Sequence, residues 1–130
     1  MGKDTTMNNN ADEVLKSIPD FDDFTKLTEE ITKVSYDKMV LEAKIKEGEA
    51  NVFKVTSTDP QYQVAGKAPA VSYVENTFKF SGLSGELIPL RQELAACTAS
   101  LEGKKLQMDV YKTMVEIWRT LCSNQRVAGL

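Results

Sequence analysis

Histidine is absent from this chain of 130 residues, and cysteine occurs only twice. The first absence removes the commonest general base and a frequent metal ligand. The second leaves Cys97 and Cys122 without a CxxC pairing, and a reduced, intracellular setting is the simplest reading. No apolar run reaches the roughly 18 residues of a membrane span. The polar opening, Met1 to Asn10, lacks the apolar stretch of a signal peptide, so the expected location is the cytoplasm or an assembled viral particle. A basic excess is missing too. The net charge of −3 argues against a dedicated nucleic-acid binder.

The usual marks of a catalytic or phosphate site are also lacking. GLSG at 82–85 has neither the lysine nor the spacing of a phosphate loop. The neighbouring acids Asp22/Asp23 and Glu29/Glu30 point about 100° apart on a helix, which suits a solvated face better than an acid–base pair. The expectation is a chain that is not an enzyme, with no cofactor, no metal and no small-molecule substrate.

What is present is periodicity. From residue 83 onward, Leu83, Leu87, Leu90, Leu94, Cys97, Leu101, Lys104, Met108, Tyr111, Val115, Trp118 and Cys122 follow one another in strict alternation of four and three. Such a repeat predicts a helix over 83–126 with a left-handed coiled-coil seam, roughly 55–60 Å long if regular to about residue 125. Ser84 suits the N-cap, and Pro89 stands deep enough to suggest a start nearer residue 88 or a kink.

An earlier helix is predicted over 20–50. Asp20 suits its N-cap, and Asp22 and Asp23 complement the dipole. Its seam runs through Phe24, Leu27, Ile31, Val34, Leu41, Ile45 and Val52, with Lys38 and Gly48 filling two places, and fraying is expected near Gly48. Residues 1–19 read as a flexible arm with a short helix ended by Pro19, and 127–130 as a tail. Between the helices, 51–82 is rich in Val, Thr, Phe and Tyr and broken by Pro60, Gly66, Pro69 and Gly82. That composition predicts a small β-rich tip with strands near 52–57, 71–75 and 77–80.

The fold class expected is therefore mainly α: a long antiparallel hairpin, or coiled coil, with a small β-containing tip. Folding back at the tip pairs Val52 with Leu83, Ile45 with Leu90, Leu41 with Leu94 and Val34 with Leu101. Lys38 then faces Cys97, and Lys104 faces Ile31. Residues 1–50 carry seven Lys against twelve Asp/Glu, whereas 83–130 carry six Lys/Arg against five acids, a balance that favours pairing. The seam cysteines read as small buried hydrophobes. The seam lysines either snorkel or fix register and copy number.

The hairpin leaves a second stripe uncovered. Leu106, Val110, Met114, Ile117 and Leu121 lie beside the main seam, and Tyr36, Met39, Val40 and Ala43 do the same on the first helix. A two-helix hairpin has no deep core, so the excess apolar surface points to other protein chains, as a self- or hetero-oligomer. Leu87, Leu94, Leu101, Met108, Val115 and Trp118 are the expected oligomer seam. The expected role is a structural or assembly protein, with a phage or other virion component as a natural home.

Two resemblances offer alternatives. Helix, β-rich tip and helix in this length is similar in layout to prefoldin subunits, which implies a chaperone. GKAPAVSYVENTF at 66–78, with Ser123-Asn124-Gln125-Arg126 at the end of the last helix, is similar to the T4-type phage recombination mediators. That resemblance implies a ring-forming accessory protein of single-stranded DNA, with Lys67 and Arg126 as the first contacts to test. Lys79, which sits with Lys54 and Lys67 among tip aromatics, is a further possible nucleic-acid contact, because single strands bind where cations and stacking rings alternate.

Overall fold

The computed structural model describes residues 12–13 and 15–129, so the arm expected over 1–10 lies outside the described residues. Residues 12–13 and 15–17 are helical, and Pro19 is buried behind them. Two long helices follow, α1 (Phe21–Thr58) and α3 (Leu87–Gly129), with a short α2 (Val71–Val74) between them.

α1 starts where its polar residues predict. Asp20 and Asp23 cap each other: the Asp23 amide donates to Asp20 Oδ1 at 2.8 Å, and the Asp20 amide donates to Asp23 Oδ2 at 3.0 Å. This satisfies a helix-terminal donor with a carboxylate that the dipole also favours.

The chain divides into two compact units. The first gathers the described residues up to Lys33 with those from Leu101 to Gly129. In it the Phe24 ring meets Tyr111 edge-on at 5.6 Å, and Lys104 Nζ reaches Glu30 Oε2 at 3.2 Å. The later α1 residue meets the earlier α3 residue, so the segments run antiparallel, with Leu27 and Leu101 buried. The second unit comprises Val34–Ser100, with a core of Ile45, Val52, Thr56, Val74 and Leu87.

Within that second unit, α1 passes through Gly48 without fraying. A Cβ at Gly48 would run into Leu87 Cδ2, so the glycine serves close approach of the two helices. The Cys97 thiol donates to the Val34 carbonyl at 3.4 Å, and Lys38 turns along its own helix toward Glu42 at 3.9 Å.

The β-containing tip is not what forms. Among the described residues there is no strand, and helix α1 runs to Thr58 rather than ending near residue 50. Packing overrides β propensity here. Val52 and Thr56 stand four apart and are buried, so the helical face continues past Gly48. The hydroxyls adapt to it: Thr56 Oγ1 donates to Val52 O at 2.8 Å, and Thr58 Oγ1 to Lys54 O at 2.7 Å.

The other two expected strands are helical as well. α2 continues into a π-turn at Glu75–Lys79. Val74 is buried, and the Phe78 ring packs edge-on to both Tyr62 and Tyr73, at 5.6 and 6.1 Å. The β-type pairing in this region is an isolated bridge between Val64 and Lys67, closing a tight reversal through Ala65 (φ 53°) and Gly66 (φ 76°). For Ala65 that conformation costs about 1–2 kcal/mol.

α3 begins at Leu87 rather than at 83. Gly82 adopts φ 83°, and a Cβ there would collide with the Glu86 carboxylate. That carboxylate folds back on the preceding turn, accepting the Leu83 amide at 3.1 Å, the Ser84 amide at 2.8 Å and the Ser84 hydroxyl at 2.9 Å. Ser84 therefore serves the bracket as a donor instead of capping the helix itself. Pro89 falls third in the helix, where an amide has no intrahelical partner to lose. At its other end α3 runs through Gly129, so most of the expected tail is helical.

Candidate assembly interface

Each seam position from Leu83 to Cys122 is buried or half-buried. Of the residues expected to form an oligomer seam, Leu87 and Leu101 are buried inside the single chain, at 1% and 6% exposure. Leu94, Met108, Val115 and Trp118 are half-buried. Lys104, the polar exception, directs its ammonium to Glu30 rather than losing it in the seam. Cys97 and Cys122 are half-buried free thiols.

The adjoining stripe is another matter. Leu106, Val110 and Ile117 are 65%, 52% and 50% exposed, while Met114 and Leu121 are half-buried. Their spacing keeps them on one side of α3, about 120° around from the seam. Along one border of the stripe stand Glu102, Asp109 and Glu116, all exposed and seven residues apart. A shallow groove of about 300 Å³ lies where stripe and carboxylates meet, lined by Thr113, Glu116, Ile117, Thr120 and Leu121. Gly103 adds a flat spot with nothing near its missing side chain.

In the second unit, Tyr36 and Met39 are exposed on α1 at 66% and 69%, with Ala43 beside them and Val40 half-buried. Tyr36 and Val40 border a groove of about 440 Å³ with Leu41, Lys44, Glu93 and Cys97.

The three cations singled out for nucleic acid divide between the two units. Lys67 is exposed and occupied through its backbone in the reversal, its amide donating to Val64 O at 3.1 Å. Lys79 is half-buried, and its carbonyl accepts from Arg91 at 3.1 Å. Arg126 is exposed near the end of α3, in the first unit, whereas the two lysines belong to the second.

Arg91 is the residue that sequence reasoning missed. Its guanidinium pairs with Glu49 at 2.7 Å, donates to the Phe80 carbonyl at 2.7 Å and to that of Lys79, and lies 4.7 Å from the Phe80 ring centroid. One planar, multi-donor cation thus ties α1, the π-turn and α3 together, which an ammonium cannot copy. No local signal marks it, because its partners Glu49, Lys79 and Phe80 meet it only in the folded chain.

Among the described residues, the Glu86 carboxyl is the one whose acidity its surroundings clearly alter. Amide donation from Ser84, helped by the residue's own amide, the Ser84 hydroxyl and the Leu83 amide, holds the carboxyl below the usual range against the opposing effect of burial. Among the described residues no cluster of three or more metal-ligating side chains occurs, and no helix is long and apolar enough to cross a membrane. Compared with protein families, with curated proteins and with solved structures, the chain finds no match.

Proposed function

We propose that this chain is a non-catalytic assembly protein that offers an apolar helical face to the helices of other protein chains, copies of itself or a different partner. The observation that carries this reading is the exposed stripe of Leu106, Val110 and Ile117, which runs along α3 outside the intrachain seam. An isolated surface leucine is ordinary, but a continuous apolar row on a helix marks a contact surface. Fully covering each such side chain contributes roughly 1.5–3 kcal/mol, enough in combination to hold a complex.

The test is molar mass by light scattering across micromolar concentrations, for the wild type and for Leu106→Ser/Val110→Ser/Ile117→Ser. A self-assembling wild type exceeds monomer mass, and the triple variant returns to monomer while melting at nearly the same temperature. A wild type that stays monomeric overturns the homo-oligomeric form of the reading. Placement within a phage or other viral particle belongs to the same proposal, and is tested by looking for the chain in purified particles.

A further inference from the structure

Resting on the assembly reading, we propose that the outer face of α3 receives an amphipathic helix of another protein, whose apolar stripe is bordered on one side by Lys or Arg at heptad spacing. Glu102, Asp109 and Glu116 recur every seven residues, about 10 Å apart along the helix. All three are exposed, and none forms an ion pair among the described residues. Lys105, Lys112 and Arg119 follow the same spacing but lie on the far side of the carboxylates, between them and the seam. The apolar stripe therefore meets negative charge directly. On the other side of the stripe, the α3 residues at heptad spacing, Gln107, Met114 and Leu121, carry no charge.

This one-sided charge selects the occupant. Charges flanking an apolar helix contact decide partner and orientation more than affinity. Two copies packed stripe on stripe about an antiparallel two-fold axis bring like borders together, setting carboxylates against carboxylates. About a parallel two-fold axis, the acidic border meets the uncharged one and gains nothing. A helix with a basic border gains attraction along the whole row. The groove between Ile117, Leu121 and Glu116 has room for one of its apolar side chains next to a carboxylate.

The experiment uses the full chain and two labelled synthetic helical peptides with the same leucine stripe, one edged with Lys at heptad spacing and one with Glu. Binding is read by fluorescence anisotropy at low and high salt, with light scattering on the protein alone. The expected result is about tenfold tighter binding of the Lys-edged peptide at low salt, weakening as salt rises. The variant Glu102→Lys/Asp109→Lys/Glu116→Lys, checked for unchanged helicity, prefers the Glu-edged peptide. Equal binding of both peptides, lost in Leu106→Ser/Ile117→Ser, overturns the charge inference and leaves the assembly reading standing. No binding of either peptide, with a monomeric wild type, overturns both. A drop in mass of the protein alone on charge reversal identifies a second copy as the occupant and overturns the proposal of a separate partner.

Discussion

Replacing Gly48 with alanine tests the close approach of α1 and α3 in the second unit with a prediction of unusual sign. In an ordinary helix interior this change stabilises by about 1 kcal/mol, because glycine is the more flexible residue in the unfolded chain. Here the new methyl meets the end of Leu87, a side chain only 1% exposed and therefore hemmed in by its neighbours. Overpacking of a filled core costs about 1–3 kcal/mol, so the balance is a loss of up to about 2 kcal/mol. Leu87→Ala alone removes a fully buried side chain and costs about 2–5 kcal/mol. In that background the obstruction is gone, and Gly48→Ala returns to its stabilising effect of about 1 kcal/mol. The two substitutions are then coupled by the overpacking cost, about 1–3 kcal/mol, the signature of direct contact. Urea unfolding followed by far-UV circular dichroism on the four proteins of this cycle gives the answer. A Gly48→Ala protein with a higher midpoint than the wild type would refute the packing of Gly48 on Leu87.

Three further outcomes follow from other residues. Arg91→Lys keeps a charge opposite Glu49 but loses the fork that serves two carbonyls, so stability falls by about 1–2 kcal/mol. Amide exchange in residues 75–81 accelerates with it, while residues 101–125 keep their protection. Glu86 is held below its ordinary range, so the stability of its bracket is complete above that range and is lost as pH falls through the folded value. Melting temperature measured from about pH 6 to pH 3 should therefore decline more steeply in the wild type than in Glu86→Gln. Leu94→Asp places a carboxylate in the seam and lowers stability by at least ~2 kcal/mol, and a melting curve identical to the wild type would contradict that seam.

The long helices were legible because a narrow buried face leaves a four–three rhythm that composition cannot disguise. Lys104 and Lys38 did not break it, since each ammonium finds a carboxylate at the surface, Glu30 or Glu42. The connecting region was read wrongly because propensity spoke louder there than period. Val52 and Thr56, and likewise Val74 and Phe78, stand four apart, a helical signal hidden among β-branched and aromatic neighbours. Gly48 suggests a weak point by composition, yet its lack of a side chain is what lets Leu87 in. Arg91 was invisible for a different reason. A residue whose partners lie at Glu49, Lys79 and Phe80 leaves no local pattern, because those contacts exist only after the chain has folded. The uncovered stripe was foreseen, but its acidic border was not, since heptad order among surface charges shows itself only when residues are set around the helix axis.

The reversal at Val64–Lys67 has a practical meaning. Its two ends are bonded to each other through both backbone amides, and Ala65 and Gly66 at its apex are exposed. A peptide spliced between them begins and ends at nearly the same point, and exposed apices of this kind accept inserted sequence readily. A fluorophore tag or protease site placed there would report on the chain without disturbing either long helix.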